Sequence, residues 1–253
     1  MKVKEIFDYI NSFAPFNTQC EWDNSGLLIG NFKNEINKIG FALDATNETV
    51  LDAARNNCDL IITHHPIIFN PLKSVDNNSP VYLAIRNNIN VLCAHTCLDK
   101  SEPGVNTVLA EVLGLKNIKA FNSDTDANMC HIGDIETVTA KELSKIISDK
   151  LNGPVIYADA DKPINKVAVC GGAAGDYLYE AIDNGADAFI TGEVKHHEFI
   201  SAKELGLSIF CAGHFETENP VIPYLKKMIE NKFKIECIIL NQTPPTKFTG
   251  DNT

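Results

Sequence analysis

Apolar residues along this chain fall into short, nearly continuous runs separated by stretches with helical spacing. The runs are IGFALDA (39–45), DLIIT (59–63), INVLCA (89–94), KVAVCG (166–171), DAFIT (187–191) and LSIFCA (207–212). Runs of this length predict strands buried on both faces. The intervening segments carry the helical period. NETVLDAARNN places Val50, Leu51 and Ala54 on one face, and AKELSKIISDKL places Leu143, Ile146, Ile147 and Leu151 at i, i+3, i+4 and i+8. The opening MKVKEIFDYINSF also alternates charged and apolar residues at helical spacing. Strands alternating with helices predict an α/β fold built from parallel βαβ units.

The polar stretch FNSDTDANMCHIGDI (121–135) has no clear period and is the expected junction between two α/β regions, and QTPPTKFTGDNT reads as a loosely held end. The 253 residues suffice for one large domain or two small ones. No apolar run approaches the ~18–20 residues needed to cross a bilayer, and the N-terminus lacks the apolar core of a signal peptide. A cytoplasmic protein is expected, with no membrane partner.

Charge narrows the partners. The formal net charge is −11 and Lys and Arg do not cluster, so the basic stripe of a nucleic-acid binder is missing. A small anionic ligand stays open, because bound metal ions supply local positive charge. None of the eight cysteines forms a CxxC pair, and several sit inside strand-like runs, as in NVLCAH and SIFCAGH. They read as reduced, buried small hydrophobes.

Three predicted strand ends carry histidine. DLIITHHPIIF ends in His64-His65; in extended chain such neighbours point oppositely, which suits two metals, one each, although a hydrogen-bonded pair also explains them. NVLCAHTCLD brings His95 with Asp99 four residues on. Imidazole and carboxylate are normal ligands for Zn, Fe or Mn; Cys93 and Cys97 share their parity and are alternative ligands, and an orienting His–Asp hydrogen bond is another reading. SIFCAGHFETE brings His214 and Glu218, with Glu216 as a competitor. A helix starting near Thr217, capped by that threonine and favoured by acidic neighbours, accounts for the acids but not for the histidine. Four histidines and two carboxylates are about what two metal ions need when each keeps positions open.

Other features are weaker. VAVCGGAAGDYLYEAI has a glycine-rich strand-to-helix turn that reads as a tight turn before it reads as a phosphate cradle. ITGEVKHHEF places Glu193, His196 and His197 after a strand, either as a polar cluster at a helix start or as substrate or metal contacts. Asp44 ends the first run and is placed to support a metal ligand. WDNSGLLIG, with Trp22, Asp23 and Asn24, reads as a structured loop feeding a strand, and no G-x-S-x-G elbow occurs.

These segments together carry a resemblance. EWDNSGLLIG (21–30), ALDAT (42–46), ITHHP (62–66), AHTCLD (94–99), GVN (104–106), CGG (170–172), ITGEVKHHE (190–198) and AGHFETE (212–218) follow, in order and spacing, the pattern of the Nif-three-like dinuclear-metal-centre proteins, often named GTP cyclohydrolase type 2 homologues. The resemblance runs nearly end to end. It implies two related α/β domains with mostly parallel sheets flanked by helices, a metal pair in the cleft between them, and assembly as a toroidal homohexamer. The first domain falls on residues 1–125 with 223–253 and contributes His64, His65, His95 and Asp99. The second falls on 126–222 and contributes His214 and Glu218, with Glu218 as the bridge between two divalent ions. The implied activity is metal-dependent hydrolysis of a nucleotide or other small anionic substrate, for the cyclohydrolase name the opening of the guanine imidazole ring. For such a hydrolase the base is either metal-bound hydroxide or a free glutamate, with Glu193 as the candidate general base. A metal-handling or regulatory hexamer without catalysis is the alternative.

Overall fold

The computed structural model describes residues 1–121 and 128–247. Helix α1 (Val3–Phe13) opens the chain and buries Val3, Ile6 and Ile10, one stripe at helical spacing. It is followed by β1 (Gly26–Ile29), β2 (Lys38–Ala42), α2 (Asn47–Arg55), β3 (Leu60–Thr63), α3 (Pro80–Arg86), β4 (Asn90–Cys93) and the single-turn α4 (Thr96–Asp99). Thr46 caps α2, its hydroxyl accepting from the Thr49 amide, and Ser79 with Pro80 starts α3. The buried face of α2 is Thr49, Val50 and Ala53. Leu51, expected on that face, is exposed, because it lies about 100° around the helix from Val50, outside the stripe of Thr49, Val50 and Ala53.

The second stretch runs α5 (Val105–Leu113), β5 (Lys116–Phe121), β6 (Cys130–Val138), α6 (Ala140–Leu151), β7 (Ile156–Ala158), β8 (Ile164–Cys170), α7 (Leu178–Asp183), β9 (Ala188–Thr191), α8 (His196–Leu205), β10 (Ser208–Cys211) and α9 (His214–Glu218). The chain then continues through α10 (Val221–Phe233) into β11 (Glu236–Ile239). No helix among the described residues is long and apolar enough to cross a membrane.

Two compact units result. The first holds Met1–Glu102 and Val221–Thr243; the second holds Pro103–Pro220 and the described residues 244–247. The division therefore falls at Glu102/Pro103 and not near 125. Leu109, Ala110 and Leu113 of α5 belong to the core that contains Leu143, Ile147, Val167 and Ile190, and β5 pairs antiparallel with β6. Residues 122–127 of the expected junction lie outside the described residues, as do 248–253 of the expected loose end. Residues 130–135 are strand, not linker.

In the first unit the sheet order is β1-β4-β3-β2-β11, with β4, β3, β2 and β11 parallel and β1 antiparallel at the edge. Val50 and Ala53 of α2 and Ala84 of α3 join Ile61, Val91 and Leu240 in one core cluster. In the second unit the order is β5-β6-β8-β9-β10-β7, and only β8, β9 and β10 are parallel. The expectation of mostly parallel sheets holds for the first unit; the second is mixed, because hairpin-like partners β5, β6 and β7 flank its parallel centre.

The parallel centres repeat one hydrogen-bond scheme. Asp59 Oδ2 accepts from the amides of Asn37 (2.7 Å) and Lys38 (3.2 Å); Asp187 Oδ2 accepts from those of Asn165 and Lys166 (both 2.9 Å). The amides of Asn90 and Ala94 donate to Asp59 O and Thr63 O, as those of Ser208 and Ala212 donate to Asp187 O and Thr191 O. Strands β2, β3 and β4 thus correspond to β8, β9 and β10, and their carboxyl ends are the equivalent ligand-gathering edges of an α/β sheet.

Candidate metal centre

In the first unit, three histidines sit just past the carboxyl ends of β3 and β4. His64 is fully buried, and its Nδ1 donates to Ala94 O at 2.9 Å. His65 Nδ1 donates to Asp44 Oδ1 at 2.7 Å, and Asp44 is itself held by Gln242 Nε2 at 3.1 Å. His95 Nδ1 donates to Asp23 Oδ1 at 2.8 Å. Each imidazole therefore spends Nδ1 on an oxygen and, when neutral, presents Nε2 as a lone pair. The three residues offer nitrogen atoms within 4.8 Å of one another. Asp99 ends α4, and its Oδ1 lies 3.5 Å from His64 Nε2.

The paired histidines do not point in opposite directions. Their ring centroids are 5.0 Å apart, and both rings approach His95, at 5.1 and 5.5 Å. Strand β3 stops at Thr63, whose hydroxyl donates to His65 O at 2.8 Å and turns the chain. The two-residue alternation of a strand does not extend past that turn.

Asp23 is the support that sequence spacing did not reveal, lying 72 residues from His95. Its other oxygen accepts from Thr96 N (3.0 Å), Thr96 Oγ1 (2.5 Å) and Ser25 Oγ (3.0 Å). Burial works to raise the Asp23 carboxyl, but the hydrogen bonds from His95 and Thr96 outweigh it and hold the group well below the ordinary carboxylate range. Asp23 is thus ionised at neutral pH. Asp44, which its strand-end position did point to, plays the equivalent part for His65.

The thiols read differently. Cys93 Sγ donates to His64 O at 2.9 Å, and burial pushes its pKa well up. Burial likewise pushes Cys97 up to about 12. Both are protonated, buried small hydrophobes beside the histidines.

The second unit supplies a pair. His214 is the first residue of α9, so the helix begins there and not near Thr217. Gly213, at φ +88°, allows the chain to turn straight from β10 into the helix. The i, i+4 spacing puts His214 and Glu218 on one face, with Nε2 and Oε2 3.2 Å apart. His214 Nδ1 donates to Glu193 Oε1 at 2.7 Å, the same arrangement as in the first unit. Glu193, the candidate general base, therefore braces the imidazole of His214. Thr217 does not cap the helix; its hydroxyl donates back to Gly213 O and accepts from Gly172 N. His196 and His197 stand exposed at the start of α8.

The glycine-rich turn after β8 is a cradle for Glu218. A β-carbon on Gly172 would stand 2.3 Å from Glu218 Oε1, and its φ of +70° itself favours glycine. Gly172 O accepts from Gly192 N, Glu193 N and Thr191 Oγ1, and Gly171 N donates to Asn106 Oδ1 at 2.7 Å. The turn is packed on a carboxylate, not open to a phosphate.

The imidazole and carboxylate donors of both groups fit a divalent metal ion of the Zn, Fe or Mn kind.

Comparison with known proteins gives the family. A curated relative from Clostridium acetobutylicum, named GTP cyclohydrolase 1 type 2 homolog, is 33% identical over 268 residues, covering 98% of this chain and 99% of its own. The crystal structure of Staphylococcus aureus hypothetical protein SA1388 matches with a TM-score of 0.92 at 28% identity, over 98% of this chain and 99% of that one. A Bacillus cereus protein described as related to NIF3 shares the fold, with a TM-score of 0.88 at 22% identity over 98% and 99% of the two chains. The family model described as Duf34/NIF3 (NGG1p interacting factor 3) matches residues 1–245. This chain belongs to the Duf34/NIF3 family.

Proposed function

We propose that His64, His65, His95 and Asp99 act together with His214 and Glu218 to hold two divalent metal ions, Glu218 bridging them. On this reading the protein is a metal-dependent hydrolase of a nucleotide or another small anionic substrate. One observation carries it. All four imidazoles donate Nδ1 to an oxygen, three of them to a carboxylate. Metal-ligating histidines almost always make such a bond, because it fixes the ring and raises the basicity of the other nitrogen. A histidine kept only for packing has no need of it, and four by coincidence is a poor explanation.

Bound ions would supply Lewis acidity, acidifying water and steadying negative charge on a substrate oxygen. The chain's own residues set that up. Asp23, Asp44 and Glu193 orient His95, His65 and His214, and the glycine turn at Gly171–Gly172 seats Glu218. The names of the relatives support a hydrolytic role, and the resemblance extends the proposal to a toroidal homohexamer, for which light scattering on the purified protein should give about six times the 27.8 kDa chain mass.

The test begins with elemental analysis of freshly purified protein, which should find close to two equivalents of metal. A screen over nucleotides, phosphoesters and amides should then find turnover that a chelator removes and added metal restores. His64→Ala and Glu218→Ala should lose both metal and turnover while keeping the wild-type circular dichroism spectrum. Full activity in metal-stripped protein overturns the reading. Metal without turnover on any of these substrates, or its transfer to a partner, favours the metal-handling alternative, with which the full burial of His64 agrees.

A further inference from the structure

Trp22 is the only tryptophan in the chain, and it is 60% exposed. Phe69, 45% exposed, lies beside it with ring centroids 5.9 Å apart and planes tilted by 36°. Both rings meet the imidazole of His95 edge-on, Trp22 at 5.8 Å and 72°, Phe69 at 6.3 Å and 70°. Two large aromatic faces are thus left uncovered within contact distance of a candidate metal ligand.

The sequence neighbours of both rings are fastened. Asp23 follows Trp22 and is bonded to His95 and Thr96. Asn24 Nδ2 donates to the carbonyl of Ile68, the residue before Phe69, at 2.6 Å. The tripeptide Trp22-Asp23-Asn24 therefore ties together one exposed ring, one ligand support and the loop that carries the second ring. Rings anchored this way lose little freedom when they take up a ligand. A planar π system gains on such faces what an aliphatic or purely anionic one does not. Lys and Arg do not cluster along the sequence to grip an anionic group instead.

We propose that Trp22 and Phe69 form a stacking site for the planar heteroaromatic ring of the substrate, placed beside the metal ligand His95. The inference deepens the proposed function and takes from it only the meaning of the neighbouring histidines; the stacking itself needs no metal.

The single tryptophan makes the site its own reporter. Fluorescence titrations should be run on wild-type protein, metal-loaded and metal-stripped, with guanosine, adenosine, ribose 5-phosphate and choline, and in parallel on free N-acetyltryptophanamide as the control for collisional quenching. The two nucleosides should quench Trp22 saturably in both forms, and more strongly than they quench N-acetyltryptophanamide, while ribose 5-phosphate and choline should not. Phe69→Ala should weaken nucleoside binding by about tenfold at unchanged metal content and unchanged circular dichroism, and Phe69→Tyr should restore it. Unsaturable quenching, saturation by choline alone, equal binding by Phe69→Ala, or a blue emission indifferent to every probe, as when another copy covers the rings, each overturns the proposal. The two readings fail separately. Saturable quenching in a protein that purifies without metal leaves the stacking site standing and removes the metal centre; a metal-loaded protein without quenching does the reverse.

Discussion

The two units use one frame for two different deliveries of chemistry. In the first, β3 and β4 run straight into His64, His65 and His95, so the backbone at the strand ends carries the imidazoles. In the second, the equivalent positions after β9 and β10 are Gly192, Glu193 and Gly213, matched through the amide bonds that Ala94 and Ala212 make to Thr63 and Thr191. Its histidine arrives one residue later, at the head of a helix, with its carboxylate partner one turn on. Both units still orient imidazole through Nδ1. The first does it with buried or half-buried oxygens, the second with a Glu193 side chain that is 61% exposed. The same scaffold is thus loaded with candidate ligands at one set of ends, and at the other with glycines that let a helix and its Glu218 come close.

If the second unit depends on close approach, filling its turn should do more damage than any single lost hydrogen bond. Gly172→Val puts a branched side chain where Glu218 Oε1 lies 2.3 Å from a β-carbon, and on a backbone at φ +70°. We expect a loss of roughly 3 kcal/mol or more in stability, and, on the proposed function, loss of a metal held through Glu218 in whatever protein remains folded. Urea unfolding and elemental analysis check this. Wild-type metal content in a stable Gly172→Val protein would mean that Glu218 is not seated by this turn. At the other end of the sheets the units should behave alike. Asp59→Ala and Asp187→Ala each strip two backbone amides of a charged acceptor, and each should cost about 1–2 kcal/mol with metal content unchanged. Unequal losses would show that the repeated scheme does not bear equal weight in the two units.

Much of this was legible in the sequence, for identifiable reasons. The six strands β2, β3, β4, β8, β9 and β10 are central and buried on both faces, so they register as apolar runs. β5, β7 and β11 are sheet edges with mainly exposed or half-exposed residues, as in Lys116–Phe121, and give no such run. β6 was hidden differently: its buried half, CHIG, borders a polar segment and continues into DIETV, where half-buried Ile135 and Val138 flank exposed Glu136 and Thr137. At the site, residues that follow an apolar run were visible, and Asp44 was among them. Asp23 was not, because what makes it a support is a hydrogen bond across 72 residues, and no local spacing encodes that. The role of Glu193 was also out of reach, since a carboxylate after a strand reads equally as a base or as a brace until its partner is seen.

That last ambiguity yields the smallest expected effect and the sharpest use of it. Glu193→Gln keeps an oxygen that can accept from His214 Nδ1 and removes only the charge. Both groups are substantially exposed, His214 by 37% and Glu193 by 61%, so solvent screens much of what that charge contributes. If Glu193 orients His214, turnover and metal affinity should fall only about two- to fivefold, since the geometry of the ligand survives and only part of its basicity is lost. If Glu193 is the general base, the amide has no proton affinity to offer at neutral pH, and turnover should fall by about 100-fold or more with metal affinity unchanged. The two outcomes differ in size and in which quantity moves. A parallel Asp44→Asn variant calibrates them: His65 is less exposed and Asp44 is held by Gln242, so the better-shielded brace in the first unit should lose more metal affinity than the exposed one in the second. Should Glu193→Gln prove the more damaging of the two, the exposed carboxylate does chemistry of its own and is more than a brace for its histidine.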